Sequence, residues 1–536
     1  MANTWEGGIG KNVGEAEEPG ASMRGVTSKE PVQSGAGFTN EGKQLDQFAL
    51  PVDAEHKSTV LAIVSFARPH MLAFHCSWLG FFTTFVSTFA AAPMIPVIRN
   101  DIDMDIIDIG NAGVAAVTGT IFCRVSMGVF CDTFGPRWGY AFLMLGVAPA
   151  VFGMATVTTP IGFLISRFFI GWGLATFVAC QFWSSVMFNP RIVGIANATA
   201  GGWGNLGGGV TQFLIPAVYE AIAKDKVDFT AWRYAFFLPG CMHIFFGVVV
   251  LFFAQDLPDG QYSKLKKAGQ MAKPKGSVSF MQAIVNYRMW MLVLSYGMCF
   301  GIELTMNNII VSYLFDQFDL ALTTAGLLGS IFGMMNLFAR SLGGWLSDYA
   351  AGRFGMRGRL WVLWVVQTVE GGMCIFMGLA RDSLGLTLVA CVLFSVCVQA
   401  AEGASFGVVP FVSKRSLGVV SGFVGAGGNA GSSITQVLFF KSSKYETYDG
   451  IILMGVMIIA VTMVVQTIHF PMWGGMWTKP DGVTTEEDYY TSAYTEEEKQ
   501  QGMADAAYKF SAAARESERT PAQKSEFDAA QGGASL

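Results

Sequence analysis

Charge is what this sequence has least of. Only 14% of its 536 residues are Asp, Glu, Lys or Arg, against 52% hydrophobic residues and a mean hydropathy of +0.42. A soluble domain carries about 25% charged residues, so an ordinary soluble protein is excluded. The nine cysteines stand singly in or beside apolar stretches, without the paired spacing of a zinc or redox site, and the five histidines are scattered. The thiols therefore read as small packing groups, and no metal or cofactor is expected. A membrane enzyme would need clustered His, Cys or carboxylate groups, and none appears. No Gly-x4-Gly-Lys-Ser/Thr loop is present to cradle a nucleotide phosphate, which argues against an ATP-driven pump. The first seventy residues lack an apolar stretch with a cleavage site, so no cleaved signal peptide is expected. The net charge of −5 comes from acidic tails, and no nucleic-acid partner is expected.

What the chain does have is repeated apolar runs of about 20 residues, the length that crosses a bilayer. They fall near 74–96, 110–131, 138–157, 160–188, 194–222 and 233–254, and again near 288–315, 323–347, 359–380, 384–412, 416–440 and 450–474. This predicts an all-α polytopic membrane protein of twelve helices in two six-helix bundles. The expected organisation is a disordered tail over 1–70, a first bundle over 71–254, a basic linker over 255–286, a second bundle over 287–474 and a polar tail over 475–536. Arg137, Arg191, the Lys264–Lys275 cluster, Arg353, Arg357, Arg359, Lys414 and Arg415 all lie on one side of the predicted topology, opposite the acidic Asp101–Asp105 loop. The positive-inside rule then puts both termini and the linker in the cytosol.

Two arginines interrupt these runs in the same grammar. Arg124-Val-Ser-Met-Gly128-Val-Phe-Cys-Asp132 and Arg340-Ser-Leu-Gly-Gly344-Trp-Leu-Ser-Asp348 both read Arg-x3-Gly-x3-Asp. An intramembrane arginine costs roughly 2.5–3.5 kcal/mol even on lenient insertion scales, so two of them point to a function. Eight helical residues separate each arginine from its aspartate by about 12 Å, which rules out a direct bridge. Asp132 and Asp348 fall at helix ends, where they suit a structural or gating role, the former within Asp132-x2-Gly135-x-Arg137. Each arginine then needs another partner. An internal acid such as Glu303, Glu370 or Glu402 is one solution. The other is an anion shared by both arginines across one cavity, since neither can relieve repulsion by losing a proton. The guanidinium fork donates paired hydrogen bonds in a plane, so flat oxyanions such as nitrate, nitrite, formate or a small carboxylate fit better than chloride. Arg167 is the main other fixed charge at depth, which leaves little to hold a multiply charged anion.

A second echo strengthens the repeat. Asn205-Leu-Gly-Gly-Gly-Val-Thr211-Gln212 and Asn429-Ala-Gly-Ser-Ser-Ile-Thr435-Gln436 both read Asn-x-Gly-x3-Thr-Gln after a glycine-rich lead-in. Matched pairs in corresponding spans imply pseudo-symmetric halves facing one mid-membrane site. The glycines suit close helix packing, and Asn205 and Asn429 are candidates to stand near the substrate. Glu303 is the best-placed candidate for a proton path, ahead of Glu370 and Glu402.

These motifs resemble the nitrate/nitrite porters of the major facilitator superfamily, within them the plant and algal high-affinity type. Pro19-Gly-Ala-Ser-Met-Arg-Gly-Val-Thr27, Leu50-Pro-Val-Asp-Ala-Glu-His-Lys57 and Asp488-Tyr-Tyr-Thr-Ser-Ala-Tyr-Thr-Glu-Glu-Glu-Lys499 extend the resemblance over nearly the whole chain. The resemblance implies a plasma-membrane carrier that takes up nitrate with protons by alternating access. It places nitrate between Arg124 and Arg340, with Phe85, Phe177, Tyr296 and Phe300 as the aromatic walls. It also implies a small single-span accessory protein as a partner. Exchange of nitrate for nitrite, transport of another oxyanion and nitrate sensing without transport are the competing expectations. The tails offer many phosphorylation candidates, Ser28 and Ser511 among them.

Overall fold

When lipid replaces water, an apolar segment can satisfy its backbone only internally, and a helix is how it does so. The computed structural model describes residues 48–267, 276–441 and 444–525, and within them twelve long helices. In the first half these are α1 (His70–Asp101), α2 (Ile106–Phe134), α3 (Pro136–Thr156), α4 (Pro160–Met187), α5 (Val193–Ala223) and α6 (Phe229–Phe253). In the second they are α7 (Tyr287–Phe318), α8 (Leu322–Phe354), α9 (Met356–Leu379), α10 (Leu384–Phe411), α11 (Leu417–Phe439) and α12 (Thr447–Thr467). Ten are long and apolar enough to cross a membrane. The remaining two, α5 and α11, have the length but are written largely in Gly, Ala, Asn, Ser and Thr. Such faces suit protein neighbours better than lipid. Accordingly α5 packs on α1 and α8, and α11 on α2 and α7.

The two bundles meet along two seams, α2 against α11 and α5 against α8. Both seams are closed by glycine. A Cβ at Gly128 would stand 2.4 Å from the Gly418 carbonyl oxygen, and one at Gly344 2.4 Å from that of Gly194. Backbone therefore touches backbone, which is what small residues permit in a membrane. Gly135 has a different duty: its φ of +87° turns the chain from α2 into α3.

Both tails depart from expectation. Residues 1–47, with Pro19–Thr27 and Ser28, and the linker positions Lys273 and Lys275 lie outside the described residues. Phe48–Pro69, however, is packed rather than disordered. The Ser58 amide donates to the Met187 carbonyl at 2.9 Å, and Glu55 bridges Lys57 at 2.8 Å and Lys414 of the α10–α11 loop at 3.2 Å. Burial pushes the Glu55 carboxyl up, but the two lysines outweigh it and hold it at about 2. That tie is complete above the ordinary glutamate range and is lost as pH falls through about 2.

The run expected to continue to 474 ends as helix at Thr467. A hairpin of β1 (His469–Phe470) on β2 (Gly474–Gly475) follows, then α13 (Glu486–Thr491), α14 (Glu496–Gln500) and α15 (Asp505–Glu518). Several of the acids that suggest a solvated tail are instead paired: Glu518 accepts both Nε and Nη2 of Arg359 at 2.8 Å, and Glu498 grips Arg415 at 2.7 and 2.8 Å. Ala507, Phe510 and Ala514 form one buried stripe of α15, and Ser511 beside them is buried too. Two capping boxes, Thr485 with Asp488 and Thr495 with Glu498, start the shorter helices.

Glu518→Ala would leave the buried Arg359 with Asp348 as its remaining carboxylate. The expected loss is about 3–5 kcal/mol, the cost of stranding one member of a buried pair, read as a lower Tm of the purified protein. Glu516→Ala, which breaks an exposed pair with Arg191, should cost under about 1 kcal/mol. Equal Tm values for the two variants would show that α15 is not held in this way.

Candidate functional site

Arg124 and Arg340 are both fully buried, and they solve the problem of a permanent charge differently. Arg124 has only carbonyls. Its Nη1 donates to Gly425 O at 2.6 Å, and its Nε and Nη2 to Leu174 O at 3.3 and 3.2 Å. No carboxylate lies within ion-pair distance of it among the described residues. Arg340 has an acid: Nη1 pairs with Glu402 Oε2, while Nη2 donates to the Tyr296 hydroxyl at 2.8 Å. The acid considered for both arginines thus serves one.

One aromatic stack lies beside both guanidiniums. The rings of Phe177 and Phe300 are parallel within 14° at 5.4 Å, and Tyr296 stacks on Phe300 at 5.2 Å. Arg124 lies 4.7 Å from the centroids of Phe177 and Phe300, and Arg340 lies 5.5 and 5.9 Å from the same two. Ring faces carry negative potential and attract these cations. Local breaks in helix geometry accompany these side chains. α4 tightens into a 3-10 turn at Trp172–Ala175, just before Phe177. α7 is interrupted between Gly297 and Phe300, so Tyr296 and Phe300 flank the gap. α8 passes through a 3-10 turn at Met335–Leu337, shortly before Arg340.

The chain is similar in sequence and fold to known proteins. The family model described as Major Facilitator Superfamily matches residues 77–436. The chain belongs to that superfamily. Within it, the chain is 51% identical to High affinity nitrate transporter 2.5 of Arabidopsis thaliana, over 87% of this chain and 93% of that protein. It is 48% identical to Nitrate transporter 2.2 of Chlamydomonas reinhardtii, over 87% and 92%. It belongs with these transporters, a family of carriers rather than enzymes. Among solved structures, the proton:xylose symporter XylE superposes with a TM-score of 0.55 at 13% identity, covering 74% of this chain and 95% of that one. The E. coli fucose:proton symporter gives 0.54 at 14%, covering 75% and 99%. These two share the twelve-helix facilitator fold.

In this facilitator the repeated Arg-x3-Gly-x3-Asp motif runs along the opposite bundle. On the first seam Arg124 bonds Gly425, Gly128 abuts Gly418, and Asp132 accepts the amides of Gly418 and Val419, each at 3.0 Å. On the second, Arg340 lies against Gly201, Gly344 abuts Gly194, and Asp348 accepts the Ile195 amide at 2.7 Å. Each aspartate therefore sits at the first turn of a helix from the other half, where unsatisfied N–H groups and the helix dipole favour an anion. Arg137 belongs to the same end, its amide on Asp256 at 3.0 Å and its Nη1 on Leu251 O at 2.8 Å. The opposite end is bridged as well, by Arg167 to Asn308 at 3.2 Å and Gln212 to the Asn307 carbonyl at 3.0 Å.

The remaining candidates divide. Asn205 Nδ2 donates to Glu303 Oε2 at 2.7 Å and to Glu402 Oε2 at 3.1 Å, placing it inside the charged network. Asn429 instead donates to Val117 O at 3.1 Å and belongs to the α2–α11 seam. Phe85 meets Phe300 edge-on at 6.2 Å, one layer behind the stack. Three contributors escaped the sequence reading: Phe81, Phe406 and Asn336. Phe81 and Phe406 contact Phe177 at 5.3 and 5.1 Å, and Asn336 donates to Glu303 Oε1 at 2.6 Å. Each stands four residues from a recognised position (Phe85, Glu402 and Arg340), and that helical spacing was the available signal.

Asp132→Asn keeps the shape and removes the charge at the start of α11. Charged hydrogen bonds contribute about 1.5–3 kcal/mol. Amide exchange at Gly418 and Val419 should therefore rise roughly tenfold or more by mass spectrometry. Unchanged exchange would show that the aspartate does not fasten the two halves.

Proposed function

We propose that this chain is a high-affinity nitrate transporter that carries nitrate with protons by alternating access, the anion held between Arg124 and Arg340. The observation that carries this reading is a buried arginine, Arg124, satisfied by carbonyls alone and facing the same aromatic stack as a second arginine. Nitrate is flat, carries one charge and offers three oxygens, which matches the planar donor fork. Rings on the flanks exclude water and strengthen each hydrogen bond to the ion. The relatives above, named as nitrate transporters at about half identity over most of the chain, support the same substrate.

Driving a monovalent anion into a negative-inside cell costs about 2.3 kcal/mol per 100 mV. One proton cancels that charge and two make uptake favourable, so the proposal includes proton coupling. The basic loops favour cytosolic termini and a cytosolic linker, and the proposal takes the membrane to be the plasma membrane. A small single-span accessory protein is proposed as a partner, on the strength of the C-terminal motif Asp488–Lys499. Asp132 and Asp348 serve as the inner gate, releasing their helix ends as the halves rock.

The test is nitrate-evoked current in cells expressing the chain alone and with a candidate accessory protein, at acid and neutral pH. Lysine cannot present a paired fork. Arg124→Lys and Arg340→Lys, checked for equal surface expression, should therefore fall to below about a tenth of the wild-type current, the loss of a charged hydrogen bond. Uptake that ignores pH would point to exchange or uniport. No response to nitrate from protein at the surface would overturn the substrate.

A further inference from the structure

Glu402 occupies ground that a substrate anion would need. Its Oε2 takes Nη1 of Arg340 and also accepts from Asn205, both arginine and acid being fully buried. Tyr296 holds Nη2 of the same fork. An ionised Glu402 therefore balances the charge of Arg340 and holds its Nη1, which leaves the unpartnered Nε with little net attraction for an anion. The second oxygen, Oε1, is buried with no hydrogen-bond partner. That oxygen is available to carry a proton, with the Glu303 carboxyl within hydrogen-bonding reach of the same group.

We propose that Glu402 is the proton-carrying group of the transport cycle, standing in for the anion on Arg340 and yielding that place when protonated. The inference rests on the nitrate reading above. The step balances simply: a hydronium ion from the entry side gives its proton to Glu402 and leaves water, and the neutral carboxyl loses its attraction to Arg340. The anion then takes the freed donor, so the Glu402 proton offsets the charge of the anion, and net inward current needs a second proton beside it. On the exit side the anion leaves, the proton returns to water, and the Arg340–Glu402 pair re-forms. No electron changes hands.

The candidate favoured from sequence, Glu303, fits this role less well. Its two oxygens already accept from Asn205 and Asn336, so it is satisfied without a proton and touches no arginine. It acts as a positioning residue, orienting the Asn205 amide toward Glu402. Glu370 on α9 is buried with neither oxygen partnered, yet it has no contact with the arginine fork. The charged and titratable groups that face Glu402 are Arg340 on α8, Arg124 on α2, Glu303, Tyr296 and Cys299 on α7, and Glu370 on α9. Arg340 alone among them is in direct ionic contact.

The test measures stabilisation of the purified full chain by sodium nitrate at acid and neutral pH, together with uptake into proteoliposomes. In the wild type the apparent Kd should weaken by up to about tenfold per pH unit once Glu402 ionises, because the competent fraction falls by that factor. Glu402→Gln, a permanently neutral isostere, should bind nitrate at least as tightly at both pH values. It should keep nitrate–nitrate exchange and lose acceleration by an inward proton gradient, whereas Glu303→Gln should keep the pH dependence. A Glu402→Gln protein that retains the wild-type pH dependence, or that is folded yet binds no nitrate at acid pH, overturns the inference. If Glu402→Gln does not fold, Glu402→Asp should bind nitrate more tightly than wild type at neutral pH, since its shortened side chain competes less for Arg340. Unchanged or weaker binding overturns the proposal. A wild type that nitrate stabilises at neither pH overturns the nitrate reading itself, and this inference with it.

Discussion

Two guanidiniums that cannot lose their protons are buried in the middle of a membrane protein, and much of the interior follows from accommodating them. Burial of an isolated charge is costly enough that most side chains would neutralise instead, but arginine has no such escape. The molecule answers with two unlike environments on pseudo-equivalent helices. Arg340 receives a carboxylate and a phenol. Arg124 receives two backbone carbonyls and two ring faces. Carbonyl dipoles and ring quadrupoles soften a positive charge without cancelling it, so the site keeps a standing attraction for an anion on one side only. A symmetric solution with an acid on each arginine would be neutral and inert.

The same arginines begin motifs that end in the inter-bundle contacts, which ties the centre of the molecule to its edge. Arg, Gly and Asp recur at four-residue steps, about 6 Å of helix each, and each motif rides a facing helix of the other half. Movement of α2 relative to α11 displaces the Arg124–Gly425 bond and the Asp132 contact together, because both lie on one helix pair. Glycine at the middle step makes this a backbone-to-backbone contact with no side chain to interlock, a surface on which two helices can rock. The C-terminal segment joins the arrangement through Arg359, which holds Asp348 on one nitrogen and Glu518 on the others. Its packing therefore bears on the second seam as well as on local stability.

The sequence made the large features legible because they have strong periodic signals. Twelve apolar runs became twelve helices, and the two internal echoes, which imply pseudo-symmetric halves, fall on the helices that form both seams. Residues that lack such a signal were misjudged. The stretch 475–525 looked like a solvated tail because it is acidic and rich in small and polar residues, with no long apolar run. Its order comes from arginines far away in sequence, Arg359 and Arg415, and pairing at that distance leaves no local trace. The 3-10 turns beside Phe177 and Arg340 were equally hidden, as propensity cannot say where a long helix changes its hydrogen-bond register. Asn429 and its counterpart Asn205 differ in their partners: Asn205 enters the charged network of Glu303 and Glu402, while Asn429 donates to the Val117 carbonyl.

That broken symmetry matters more than the symmetry. The acids at the centre, Glu303, Glu370 and Glu402, stand on α7, α9 and α10 in the second bundle, while the first bundle contributes Arg124, Asn205 and aromatic rings. An anion bridging the two arginines joins a half that offers uncompensated positive charge to a half whose charge depends on a carboxyl group. With Glu402 ionised, the charge of Arg340 is balanced within its own half, and at the centre the halves share the ring stack, the Arg124–Gly425 bond and the Asn205 bonds. With Glu402 neutral, both arginines seek the same ion and draw the halves onto it. Two repeats of one ancestral pattern thus supply the geometry of alternating access, and the single acid paired with one arginine supplies its direction.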